Sequence, residues 1–203
     1  MTSVEPGRPC GLRERKKART RAAIREHALR LFREQGYQAT TVEQIAAAAE
    51  VSPSTFFRYF PTKEDVVLRD DFDERMFEAF ERQPPTMSSI TALRTAIREA
   101  IATLSPAEWA EFREMAALSM SVPELRARTL DELTRTINQA AEAQAKRTGR
   151  EPDDLAVRVY AGAVFGAMMA VMTPDTFTKG SLDAALFDRV DEALALLESG
   201  LPL

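Results

Sequence analysis

Residues 40–63 read TTVEQIAAAAEVSPSTFFRYFPTK, and within them side chains suited to gripping a polyanion gather at helical spacing. Pro53, Ser54 and Thr55 are small enough to let a helix end sink into a major groove, where the two hydroxyls can bond to base edges or phosphates. Phe57 has two readings, an exposed ring against a thymine methyl or sugar and a half-buried packing residue. Arg58 reaches a guanine or merely closes a salt bridge, and Tyr59 projects beside it. Lys63 stands at a helix amino terminus, whose free amides and dipole also favour a phosphate. Chemistry of other kinds finds no residues. There is no Gly-rich phosphate loop, no His–Cys cluster and no nucleophile elbow, so neither an enzyme nor a cofactor is expected. His27 is the single histidine and has no second ligand at metal spacing, which makes it a packing residue.

The elements that must position these groups are legible around them. Thr41 caps a helix and Gln44, three residues on, reaches back in a capping box. Ile45 then opens a body whose small residues, Ala46 to Ala49, let a second helix approach. Glu50 and Val51 make the turn. Ser52 caps again, and Pro53 takes the first helical position, where its missing N–H costs nothing. On that helix Phe56 and Phe60 fall together on the inner side. Two short helices joined by a tight turn are a helix-turn-helix. Upstream, Ile24, Ala28, Leu31 and Phe32 recur at helical spacing until Gly36, behind a basic run of Arg13, Arg15, Lys16, Lys17, Arg19 and Arg21. Residues 1–11 hold Pro6, Gly7, Pro9 and Gly11 and read as a mobile arm. Downstream, Thr62 caps a helix expected over residues 63–83, a connector with apolar residues on two flanks.

The run IREHALRLFREQGYQATTVEQIAAAAEVSPSTFFRYFPTKEDV, residues 24–66, resembles the amino-terminal DNA-binding domain of TetR-type bacterial transcriptional regulators. The apolar first helix, Gly-Tyr, Thr-Thr-Val, Ile-Ala, Val-Ser, Arg-Tyr-Phe and Lys-Glu follow in the family's order. Two positions depart from it: Glu50 stands where Gly is usual, and Phe57 where Tyr is frequent. The first raises the cost of a positive φ. The resemblance implies that Thr41, Ser54, Thr55, Phe57, Tyr59 and Lys63 grip a double-stranded operator. It further implies a homodimer formed through the last two long helices as a four-helix bundle.

Charge is divided unevenly along the chain. Its 203 residues carry a net −4, yet residues 1–63 hold 12 Lys and Arg against 6 Asp and Glu, leaving 15 against 25 for the rest. The basic end is the candidate nucleic-acid face, although charge runs also serve simply as solvated helix surfaces. Cys10 is the only cysteine, which fits a reducing, cytoplasmic setting. The longest uncharged run, residues 159–172, is too short to span a bilayer, and no membrane partner is expected.

Beyond residue 86 the helical periodicity continues without a competing strand pattern. Helices are expected over residues 89–104, 106–119 and 123–147, then from Pro152, and last from Ser181 or Leu182. The fold class is all-α with about nine helices. An arm over residues 1–11 and a helix-turn-helix domain over 12–63 precede a regulatory and dimerisation domain over 64–203. Gly162, Gly166 and Ala170 form a small-residue stripe that either packs within the chain or meets a second copy, with Leu186, Val190 and Leu194 on the last helix as its counterpart. Trp109, Phe112, Met115, Phe165 and Met169 could line a pocket for an apolar effector or make plain core. Residues 112–172 are similar to an actinobacterial subgroup with acyl-CoA-like ligands. A ligand-responsive repressor released by an apolar or amphipathic effector is the expectation, and its rival is an all-α scaffold whose helix-turn-helix no longer recognises DNA.

Overall fold

The computed structural model describes residues 11–69, 72–172 and 184–202, and every regular element among them is a helix. Most of the expected arm, residues 1–10, lies outside them. Backbone contacts divide the chain into two units, Met1–Val66 and Val67–Leu203.

The first unit holds α1 (Leu12–Gln35), α2 (Val42–Ala48) and α3 (Pro53–Tyr59). Ile24, Ala28, Leu29 and Phe32 from α1 meet a core shared with Tyr37, Ile45, Ala46, Phe56 and Phe60, all buried. Each short helix begins as its sequence dictates. Thr41 Oγ1 accepts from the Gln44 amide while Gln44 Oε1 accepts from the Thr41 amide, closing the capping box. Ser52 Oγ accepts from the Thr55 amide, with Pro53 behind it. The end of α2 is less comfortable. The Val51 amide donates to Ala46 O and the Glu50 amide to Ala47 O, the paired bonds that close a helix through a left-handed residue. That residue is Glu50, at φ 54°, so the turn is made by a side chain that pays for a conformation glycine adopts freely.

The short α4 (Asp65–Leu68) spans the division between the units, and α5 (Phe72–Arg82) follows it. The single connector expected over residues 63–83 is therefore corrected. Thr62 caps as expected, its hydroxyl accepting from the Asp65 amide while its own amide donates to the Asp65 carboxylate, but regular helix runs only over Asp65–Leu68 and Arg69 is not helical. The start at Phe72 has a compositional reason: Asp73 and Glu74 in its first turn favour a helix amino terminus over a helix interior.

The second unit continues with α6 (Ser89–Ala102), α7 (Pro106–Ser121), α8 (Pro123–Thr148), α9 (Leu155–Val171) and α10 (Ala184–Glu198). The start expected at Pro152 moves to Leu155 because Asp154 takes the cap, its Oδ1 accepting from the Ala156 amide. The start expected at Ser181 or Leu182 lies outside the described residues. Met76, Ala79 and Phe80 of α5 pack with Leu93, Ala96 and Ile97 of α6, Val164 of α9, and Val190 and Leu194 of α10. Alanines at 141, 145 and 161 bring α8 and α9 close around Val157. No helix among the described residues is long and apolar enough to cross a membrane.

Polar ties fix this unit where apolar surfaces alone would slide. The Arg147 guanidinium donates to three carbonyls of the segment between α5 and α6, Gln83 at 3.1 Å, Pro84 at 2.6 Å and Met87 at 2.7 Å, and lies over the Phe80 ring. Arg94 of α6 makes a two-pronged pair with Asp191 of α10 at 2.9 and 2.6 Å. Arg75 of α5 donates to Glu108 at 2.7 Å, and Glu108 completes the capping box of α7 with Ser105.

Two predictions test these ties and the turn. The Ser105 amide, and after it Arg75, hold the Glu108 carboxyl down to about 2 from an ordinary 4.5. A carboxylate depressed on folding adds stability that is complete above the unfolded value and is lost as pH falls through the folded one. Urea midpoints should therefore drop as pH falls from 4.5 towards 2, and Arg75→Ala should flatten part of that drop. Glu50→Gly should raise stability by up to about 1 kcal/mol, the left-handed strain removed less the added chain entropy. An unchanged or lower urea midpoint in that variant would show that the turn is unstrained.

Candidate nucleic-acid interface

Helix α3 is divided lengthwise by burial. Phe56 and Phe60 are completely buried, their ring centroids 5.9 Å apart, and this fixes the rotation of the helix. Pro53, Ser54, Phe57 and Arg58 are consequently exposed, while Thr55 and Tyr59 lie half-buried at the edge. Phe57 retains 49% of its surface in water and so belongs to the outward face. It meets Phe56 edge-on at 5.5 Å and so presents a supported, apolar face outwards. The Arg58 guanidinium sits 5.4 Å from the Tyr59 ring centre, and no carboxylate pairs with it among the described residues.

The hydroxyls at the front of α3 form a relay that the sequence did not announce. Ser52 gives its single hydroxyl hydrogen to Thr55 Oγ1 at 3.0 Å, so Ser54, also 3.0 Å from Ser52 Oγ, must be the donor in that contact. Thr55 keeps its own hydrogen for an outside acceptor, and Ser54 keeps lone pairs for an outside donor. Thr41, exposed at the start of α2, is occupied by its cap. The Glu43 carboxyl beside it is held below its ordinary range by its own amide and then by Thr41, which places negative charge at that helix end.

Lys63 is held within its own unit. Its ammonium donates to Tyr37 O at 2.9 Å and Thr40 O at 3.0 Å and lies 4.1 Å from the Tyr37 ring centre. Two of its three donors thus lock the loop between α1 and α2, and it does not stand free at a helix amino terminus as the spacing suggested. Thr40, buried in the same loop, donates to Gly36 O at 2.8 Å.

The expected effector residues are partly brought together. Trp109 and Phe112 of α7 meet edge-on at 6.0 Å. Phe187 of α10 lies 5.2 Å from Trp109, and Phe72 of α5 lies 5.8 Å from Phe112. Phe72 and Phe187 were missed by the sequence reading, since no local spacing links them to α7. Met115, one turn further, is buried and lines a cleft of about 170 Å³ with Phe112, Val67, Leu68, Ser119 and Glu132. Met169 does not join this group: it points outward and is 38% exposed, because it falls on the outer stripe of α9. Phe165, half-buried on α9, has no ring contact with the cluster.

That outer stripe is apolar and unpartnered among the described residues. Leu155 and Val159 are 78% and 59% exposed, and Gly162, Gly166 and Ala170 share their face, with no atom within 4 Å of a side chain built at either glycine. The counterpart expected on the last helix is a second correction. Leu186, Val190 and Leu194 are buried in their own unit, while Leu196 of α10 is an exposed large apolar residue. Four-residue spacing identifies a face but not the chain it meets.

A helix-turn-helix with an exposed recognition face, in a basic unit followed by an all-helical one, defines a helical DNA-binding regulator. Residues 24–69 match the tetR family of bacterial regulatory proteins, and residues 87–202 match the MftR C-terminal domain. The chain is 35% identical over 191 residues to the HTH-type transcriptional regulator TcmR of Streptomyces glaucescens, over 90% of this chain and 83% of that one. Of solved structures, it is similar to the TetR-family repressor FadR of Thermus thermophilus, determined in complex with lauroyl-CoA. That similarity has a TM-score of 0.54 and 25% identity over 90% of this chain and 95% of that one. SmeT, repressor of the Stenotrophomonas maltophilia multidrug efflux pump SmeDEF, shares the fold with a TM-score of 0.56, at 18% identity over 89% of each chain. The chain belongs to the TetR family of DNA-binding transcriptional regulators, and it is not an enzyme.

Lys63→Ala should lower the unfolding free energy of the first unit by about 1–3 kcal/mol, because two loop carbonyls lose their donor. Denaturation monitored in that unit checks this. Full stability combined with weakened duplex binding would return Lys63 to a direct phosphate role.

Proposed function

We propose that the protein is a repressor that binds a palindromic operator as a homodimer in the cytoplasm and is released by an apolar or amphipathic effector. The observation that carries the DNA reading is the exposed face of α3, Pro53, Ser54, Phe57 and Arg58, backed by buried Phe56 and Phe60. Each subunit presents this face to a major groove, and half-sites are spaced about one helical turn apart, on the order of 34–36 Å. Residues up to about 63 are the DNA-binding domain, and the remainder is regulatory.

The apolar stripe of α9 supports dimerisation, since a surface of Leu155, Val159 and Met169 flanking two glycines costs free energy in water and allows a close helix approach. The effector site is placed at Trp109, Phe112, Phe72 and Phe187, extending towards Met115. The acyl-CoA ligand of the related FadR structure makes acyl thioesters the first compounds to test. Phe72 begins α5, so an occupant that parts Phe72 from Phe112 moves the element that follows α4. Effector and operator then compete through one conformational equilibrium, each lowering the affinity for the other by the same factor.

Duplexes selected from a random library supply the operator. On it, affinity should fall steeply with salt, and lauroyl-CoA or a related acyl thioester should both change Trp109 emission and release the DNA. Gly166→Leu should leave the single-chain fold intact, because among the described residues nothing lies within 4 Å of a Cβ built there. It should split the dimer in sedimentation and abolish tight operator binding. A Gly166→Leu protein that stays dimeric places the interface elsewhere, and a wild-type protein that binds no duplex overturns the repressor reading.

A further inference from the structure

The first half of α1 lies upstream of the tetR match, which begins at residue 24, so nothing in that match assigns it a role. Arg13, Lys16, Lys17 and Thr20 stand at i, i+3, i+4 and i+7, and therefore on one face of the helix. That face borders a groove of about 820 Å³, lined otherwise by Leu12 and by Arg58 and Tyr59 from the last turn of α3. Four cations line the groove and no carboxylate does. Arg13, Lys16 and Lys17 are exposed, and neither they nor Arg58 pair with an acid among the described residues.

Concentrated, unneutralised positive charge along a trough is unfavourable unless an anion fills it. A small anion would use only part of this one. From Arg13 to Thr20 the stripe runs about 10 Å along the helix axis, a length that takes roughly two successive phosphates of one DNA strand. The groove also ends on Arg58 and Tyr59, at the far end of the helix assigned to base reading, so an occupant would be continuous with the operator. The α1 start adds to the attraction, because Gly11 offers no side-chain acceptor to its first amides.

We propose that the amino-terminal face of α1, Arg13, Lys16, Lys17 and Thr20, together with the end of α3, holds the sugar–phosphate backbone flanking the half-site. It is a sequence-independent contact beyond the recognition helix, and it rests on the DNA-binding reading of α3. It sets affinity for any duplex and leaves base preference to Ser54, Thr55 and Phe57.

Comparison of two double variants tests this. Lys16→Ala/Lys17→Ala empties the groove face; Arg15→Ala/Arg19→Ala removes as many charges from the opposite face of the same turns. Alanine is the best helix former, so both helices persist, which circular dichroism checks. The groove variant should flatten the slope of log affinity against log salt by about 1.8, or about 0.9 for each phosphate that no longer meets a cation. The fall in affinity between 50 and 200 mM salt would then be roughly tenfold smaller than in the wild type. Selected operator and unrelated duplex should weaken by the same factor, with base preference unchanged, and Lys16→Gln/Lys17→Gln should behave alike. The opposite-face variant should change the slope by less than half as much. Equal slopes for the two faces, an unchanged slope in the groove variant, or an altered base preference would each overturn the proposal while leaving the recognition helix in place. A wild-type protein that binds no duplex overturns both.

Discussion

Burial of Phe56 and Phe60 along one side of α3 is the constraint on which the exposed face of that helix depends. A seven-residue helix has too few internal hydrogen bonds to persist alone, so its orientation is set by what it buries. With both rings completely enclosed and Arg21 and Arg25 over Phe60 at 5.5 and 5.6 Å, rotation of α3 would expose aromatic surface on one side and drive Arg58 into the core on the other. The outward set follows from the inward one. Lys63 serves the same end from outside the helix, since its hold on two loop carbonyls keeps α1 and α2 in register with the segment that leaves α3.

The second unit is organised by helices that must satisfy two neighbours at once. Helix α9 gives Val157, Ala161 and Val164 to its own core and turns Leu155, Val159, Gly162 and Gly166 to solvent. The buried set is mostly small, which permits close approach to α8; the exposed set is apolar, which water disfavours. Helix α5 is likewise shared. Met76, Ala79 and Phe80 hold it to α6, while Phe72 and Arg75 at its beginning reach the aromatic cluster and the cap of α7. Helix α5 is thus fastened by buried apolar packing over one part and by rings and a partly exposed ion pair at its beginning.

Sequence and tertiary structure divide the remaining work by range. Both helix starts of the helix-turn-helix, the proline position and the inward pair Phe56 and Phe60 are legible because each depends on residues within four positions of one another. The cost at Glu50 was legible for the same reason, and φ 54° is its outcome. Periodicity also defined the faces carrying Leu186, Val190 and Leu194 and carrying Gly162 and Gly166, because 3.6 residues per turn is a property of the backbone. What meets each face is not. Only packing decided that Leu194 is enclosed by its own unit while Gly166 stays open, and that Met169 turns away from Trp109. Packing also added Phe72 and Phe187 to the cluster and took the Lys63 ammonium for carbonyls 23 and 26 residues away. Such partners are chosen by distance in space between groups whose sequence separation carries no signal, and a helical pattern is the same whether its apolar stripe meets a core, a ligand or a second chain.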